Sequence, residues 1–282
     1  MTGQAERVFE LESLKNNEAL RYSSKIVAFT SGKGGTGKTF ISVSLAYAIS
    51  RLNKKVLFID LDSNLSNANI MLNVVASKTL YDFFTGRSLL HELITKYEPN
   101  LHFIFGDSGK SDYPKPKAEF VGQLFNQIRA LQNDYDIVLL DTGAGAGEDV
   151  ISVLLNADKN ILVTTPEPTA VMDAYVIIKF LSSRNYSGEK MVIINKCVDR
   201  NDGEVTFNNL SLAANHFLKE KIDLLGEIKY DNTISKTIKA QELFIKKYQR
   251  TEASLQILKT AKRLSEIIQV ANIHHPNKKS FL

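Results

Sequence analysis

The chain has 282 residues, 44% of them hydrophobic, and a net charge of +4, enough apolar material for a sizeable core in one large domain or two small ones, which excludes wholesale disorder. Its single cysteine, Cys197, excludes an internal disulfide framework and any metal site built from thiolates of one chain. No apolar run approaches the ~20 residues that span a bilayer, and the acidic, polar N-terminus does not read as a secretory signal, so the cytosol is the expected compartment.

Residues 1–22 read as a short helix and a polar connection, separate from the rest of the chain. Beyond them apolar, β-branched runs alternate with segments of helical spacing. Strands are expected at 25–30, 55–60, 101–105, 135–140, 160–165, 191–195 and 222–230. Helices are expected at 38–52, 118–132, 147–156, 169–183 and 206–220. Several of the strands are apolar at every position, as strands covered on both faces are. The alternation predicts an α/β domain over 23–270: a doubly wound, mostly parallel sheet flanked by helices on both faces. GKSDYPKPK (109–117) is a loop, because two prolines among charges suit neither element. A last helix, 252–270, is expected to face the core with Leu255, Leu258, Ala261, Leu264 and Ile268, and 271–282 form a tail. From Lys229 onward there are eleven Lys/Arg and four Asp/Glu, a charge of +7 against −3 for the remainder. This suits an acidic partner, and equally a set of solvated helix faces.

The chemistry-bearing motif is SGKGGTGKTF, 31–40, between an apolar strand and a helix. That is the context a phosphate-binding P-loop requires. Gly32, Gly34, Gly35 and Gly37 let the backbone N–H groups, Thr36 included, converge on phosphate oxygens at a helix N-terminus. Lys38 is placed for the β/γ-phosphates and the Thr39 hydroxyl for Mg²⁺, with Phe40 next in line. Two carboxylates, Asp60 and Asp62, follow the second strand and, being alternate residues, point the same way at the ligand edge of the sheet. YDIVLLDTGAG (135–145) reads as a Walker B strand whose Asp141 holds Mg²⁺ through water. Gly143 and Gly145 make the segment after it a mobile switch.

Lys33, a second lysine early in the loop, makes SGKGGTGKT resemble the deviant Walker A motif of the MinD/ParA family. DLDSNLSNAN (60–69), LLDTGAG (139–145) and Asn195-Lys196 extend the resemblance over 25 to about 270. The family is of P-loop ATPases with ATP or ADP and Mg²⁺ as ligands and a homodimer formed with ATP. The resemblance implies that Lys33 reaches the nucleotide of the opposite subunit, that Asp62 activates the attacking water, and that Asp60 supports Mg²⁺ through water. It further implies that Asn67 belongs to switch I, although Asn64 stands where a glycine is usual, and that Asn195, with Lys196, faces the adenine base. TTPEPTAVMDAYVIIKFL (164–181) is most similar to the FlhG/FleN branch, which regulates flagellar number, and places Glu167 and Asp173 at the dimer interface. Physically, that run reads as a Pro-bounded turn before a core helix. Gln4-Ala5 match the branch's helix that stimulates the GTPase FlhF, whereas Gly3, Val8 and Phe9 depart from it. The tail has Lys278, Lys279, Phe281 and Leu282 for an anionic membrane, but Pro276 interrupts it; His274-His275 carry no assigned role. A ParA-type partition protein using its basic C-terminal region on DNA is the alternative.

Overall fold

The computed structural model describes residues 26–62, 67–107 and 118–273. The expected helix carrying Gln4 and Ala5, together with Asn64, the 109–117 loop and the tail from 274 onward, lies outside them. β1 (Ile26–Ser31), buried at every position, leads through the glycine loop into α1 (Lys38–Ser50). β2 (Val56–Asp60) is followed by two short helices, α2 (Ala68–Met71) and α3 (Leu80–Phe84), and by an edge hairpin of β3 (Thr95–Glu98) and β4 (Leu101–Ile104). The chain then alternates regularly: α4 (Ala118–Leu131), β5 (Ile137–Ala144), α5 (Glu148–Asn156), β6 (Lys159–Thr164), α6 (Pro168–Ser183), β7 (Glu189–Cys197), α7 (Asp202–Ala213) and β8 (Asp223–Lys229). Three helices close it: α8 (Asn232–Lys239), α9 (Phe244–Lys247) and α10 (Glu252–Ile273).

The eight strands form one sheet in the order β3-β4-β2-β5-β1-β6-β7-β8, parallel throughout except for the β3–β4 pair. This is the doubly wound, mostly parallel sheet the alternation predicts. Alternate residues of the central strands feed two separate cores. Val27 and Phe29 of β1 face α1, α9 and α10, whereas Ile26 and Ala28 face α4 to α7. Strands that bury both faces carry no polar alternation, which is why the bodies of β1, β2 and β6 (26–29, 56–59 and 161–163) read as apolar runs. The register sets Asp60 of β2 beside Asp141 of β5, with Phe29 of β1 on the other side of Asp141. The two carboxylates therefore stand side by side at the C-terminal edge, next to the loop that leaves β1.

The structure corrects the expected apolar stripe of the last helix. Leu255 and Leu258 are 56% and 38% exposed, and the core face is instead Ala253, Ile257, Ala261, Leu264 and Ile268. Spacings of four, four, three and four residues make that row continuous with the helical period; Leu255 and Leu258 lie off it. β3 is unexpected, because its sequence, TKYE, has no apolar run and its alternation of Thr95 and Tyr97 with Lys96 and Glu98 spans only four residues. α7 begins at Asp202 rather than 206, and the chain continues past Ala213 through a π-type turn to Leu218.

Candidate functional site

The loop between β1 and α1 takes its shape from two left-handed glycines. Gly35 has φ +81° and Gly37, which opens α1, has φ +88°; other residues rarely adopt such angles. Gly32 is required for a different reason: a Cβ there would collide with the backbone of Asp173 on α6. The loop is thus pressed against α6 at one end and continues into α1 at the other. Gly32→Ala is expected to push α6 and the loop apart and to lower stability by about 1–3 kcal/mol, the usual penalty of overpacking, measurable as a reduced urea midpoint. An unchanged midpoint would mean that α6 is free to shift.

The two lysines of the loop part company. Lys38 is 6% exposed, and its Nζ lies 3.0 Å from Asp141 Oδ2, which is fully buried. The same carboxylate accepts from Thr39 Oγ1 at 2.7 Å and, on its other oxygen, from Ser42 Oγ at 2.9 Å. Burying a carboxylate without such donors would be costly, so the trio of Lys38, Thr39 and Ser42 is what permits Asp141 to sit there. Lys33, by contrast, is 45% exposed, and its ammonium reaches Glu167 Oε2 at 3.2 Å and Thr169 Oγ1 at 3.4 Å, where α6 begins.

Asp60 and Asp62 do not share a task. The buried Asp60 carboxylate accepts from the backbone N–H of Asp62 at 3.1 Å and of Ala68 at 3.2 Å, bracing the two ends of the segment between them. Asp62 is half-buried, with Oδ1 3.8 Å from where a Cβ on Gly143 would stand. That is ordinary van der Waals distance, so the end of β5 and Asp62 meet here. Thr142 ties the same segment to β1 by donating from Oγ1 to the Phe29 carbonyl at 2.9 Å, and Gly145 N–H donates to the Ser31 carbonyl at 2.8 Å.

At the end of β7 the Asn195 amide donates to the Thr36 carbonyl at 2.8 Å and the Lys196 ammonium to the Gly35 carbonyl at 2.7 Å. Phe40 turns its ring into the core, 5.7 Å from that of Phe244, leaving only its backbone for a ligand. Cys197 is buried next door, and burial pushes its thiol up to about 11, so it is a protonated core residue at neutral pH. Glu167 and Asn67 are both exposed, the former 64%.

Loop, helix N-terminus and carboxylates therefore lie together at one edge of the sheet. Space is open above Gly34 and Gly35, where an added Cβ meets nothing within 4 Å. The buried Thr36 hydroxyl has no hydrogen-bond partner. Converging N–H groups, an unpartnered hydroxyl and a buried ammonium suit a polyphosphate, and Thr39 with Asp141 and Asp60 suits its hard divalent cation. Sequence reasoning missed Ser42 and Thr169. Ser42 was findable, lying three residues from Thr39 on the same face of α1. Nothing in the sequence announces Thr169.

A family model described as an AAA domain matches residues 24–194. The flagellum site-determining protein YlxH of Helicobacter pylori is 32% identical over 251 residues, 87% of this chain and 84% of that protein. The antiactivator FleN of Pseudomonas aeruginosa is 28% identical over 240 residues, 85% of this chain and 86% of that protein. Among solved structures, the cell-division ATPase MinD of Pyrococcus furiosus superposes with a TM-score of 0.74 at 22% identity, over 86% of this chain and 99% of that one. MinD of Pyrococcus horikoshii, complexed with Mg-ADP, gives 0.74 at 23% identity over 88% and 98%. These two show the fold, and the matched sequences show the descent. The chain belongs to the MinD/ParA family of P-loop ATPases, on its FlhG/FleN branch, and it is an ATPase.

Proposed function

We propose that the chain is an ATP-driven monomer–dimer switch that regulates flagellar number or placement, hydrolysing ATP to ADP and phosphate. The observation that carries this reading is the division of labour between the two lysines. Lys38 stays inside its own loop, while Lys33 projects outward to a surface contact with Glu167 and Thr169. A cation presented at the surface beside the nucleotide loop is available to a second copy facing it, and a charge supplied across an interface ties hydrolysis to dimerisation. The flagellar role draws on the two relatives named for flagellum site determination and antiactivation.

Within one copy, the N–H groups of 34–37 receive the phosphates, and the Lys38 ammonium exchanges Asp141 for the β/γ-phosphate oxygens. Thr39, Asp141 and Asp60 would hold Mg²⁺, which would supply positive charge beside the transferring group. Asp62 orients the attacking water beside Gly143. The FlhF-type GTPase, through Gln4-Ala5, is the proposed protein partner, and an anionic membrane a further one. No helix among the described residues is long and apolar enough to cross a membrane, so any membrane contact would be peripheral to them.

Lys33→Ala tests the reading. Mg-ATP affinity is expected within about threefold of the wild type, because Lys33 does not line its own loop. Turnover is expected to fall about 10³-fold, as when a charge supplied in trans is removed. Sizing of the wild type should give a dimer with Mg-ATP and a monomer with Mg-ADP. Normal turnover by Lys33→Ala would remove the cross-subunit role. ATP-dependent, salt-sensitive retention on DNA by the wild type would move the chain to the partition type instead.

A further inference from the structure

We propose that Asn195 and Lys196 are positioning residues that aim two amides of the phosphate loop, acting on its backbone rather than chiefly on the base. This rests on the reading of the site as one for ATP. Two adjacent side chains at the end of β7 each hold a carbonyl of the loop: Asn195 Nδ2 that of Thr36 at 2.8 Å, Lys196 Nζ that of Gly35 at 2.7 Å.

The peptide bond passes each contact on to a neighbouring amide. A trans peptide is planar, so the carbonyl of one residue and the N–H of the next point in opposite directions. Holding the Gly35 carbonyl toward β7 turns the Thr36 N–H the other way, and holding the Thr36 carbonyl does the same for Gly37 N–H. The loop contains two left-handed glycines and has open space above Gly34 and Gly35, so little else restrains those two peptide planes. Donors fixed before the anion arrives need no reordering when it binds.

Three further features agree. Asn195 is 3% exposed, so its amide is held rather than free to swing. A Cβ on Gly37 would overlap Asn195 Nδ2, which makes glycine there necessary for the contact as well as for its φ. Lys196 itself adopts φ +59°, a left-handed angle that costs a non-glycine residue about 1 kcal/mol or more. That angle sits where the β7–β8 register shifts between Ile194 and Cys197, and there the ammonium meets Gly35. A glycine would relax it, so Lys196→Gly separates the two roles: the backbone loses strain while the loop loses its donor.

The experiment measures Asn195→Ala and Lys196→Gly, with Lys196→Arg as the conservative variant, against Mg-ATP, Mg-GTP and Mg-tripolyphosphate. Loss of a neutral hydrogen bond corresponds to about twofold to tenfold in affinity, and of one from a charged group to about tenfold to a hundredfold. Each of the first two is expected to weaken Mg-tripolyphosphate and Mg-ATP by similar factors of about tenfold, with the preference for ATP over GTP unchanged. Lys196→Arg should regain most of the affinity. Hydrogen exchange of the ligand-free loop, 32–38, should quicken in both variants, although Lys196→Gly is expected to be at least as heat-stable as the wild type. Because Asn195 is neutral, an equal effect there shows that the loss is not simply that of a cation near the phosphates. Lost discrimination of ATP from GTP with tripolyphosphate binding and loop exchange unchanged would overturn the proposal and make the pair base readers. Unchanged affinities and exchange would overturn it too. A wild-type chain that binds none of the three probes would instead overturn the ATP site itself.

Discussion

Asp62→Ala is expected to bind Mg-ATP within about threefold of the wild type, to lose turnover by 10²–10⁴-fold, and to accumulate as an ATP-loaded dimer on sizing. The expectation comes from how the neighbouring carboxylates are occupied. Asp141 already takes Lys38, Thr39 and Ser42, and Asp60 takes the amides of Asp62 and Ala68. Both are fully buried, and neither can approach a water beyond the phosphates without abandoning contacts that hold the site together. Asp62 is the half-buried one, standing near Gly143 where the segment after β2 meets the end of β5. A carboxylate there can orient a water and accept its proton while leaving the phosphate-binding groups intact, which is why binding and hydrolysis should separate in this variant. Asp62→Asn keeps the shape and removes the charge; it should trap the dimer equally well. Turnover by either variant at the wild-type rate would assign the water to another residue, and loss of Mg-ATP binding would make Asp62 a structural element of the loop.

The parts of the site legible in sequence are those whose geometry is local. Gly35 and Gly37 must be glycine for reasons of φ alone, Lys38 and Thr39 follow at fixed offsets along a helix start, and Asp60 and Asp141 end apolar runs. Parallel pairing then brings the last two together without any further signal. The parts that were not legible join distant positions. Ser42 meets Asp141 across 99 residues, and Lys33 meets Glu167 across 134. Nor could composition say that Asp60 would accept from the backbone amides of Asp62 and Ala68, since alternate strand residues point alike only while the strand lasts, and β2 ends at Asp60. In the fold the same distinction holds. The buried central strands were plain from their apolar runs, whereas β3, a four-residue antiparallel edge, and α8 and α9, each eight residues or fewer, owe their structure to what they pack against.

Lys38→Met should be the most damaging single change in the ligand-free chain as well as in the loaded one. Its ammonium lies 3.0 Å from a carboxylate that is itself 0% exposed. Breaking a buried ion pair from one side typically costs 3–5 kcal/mol, because it strands the other charge. Here Thr39 and Ser42 still donate to Asp141, so the expected loss is nearer about 3 kcal/mol, read as a lower urea midpoint at unchanged slope. Mg-ATP affinity should fall about 100-fold or more, since the same ammonium is the charge that meets the β/γ-phosphates. The two effects come apart in a double variant. Adding Asp141→Asn to Lys38→Met replaces the stranded carboxylate by a neutral amide that still accepts from Thr39 or Ser42. Stability should recover by more than half while affinity for Mg-ATP stays lost, a coupling of the kind a double-mutant cycle measures between residues in contact. If Lys38→Met unfolds at the wild-type midpoint, Asp141 does not depend on Lys38 in the absence of nucleotide, and the picture of an ammonium held in reserve against one carboxylate until phosphate arrives is wrong.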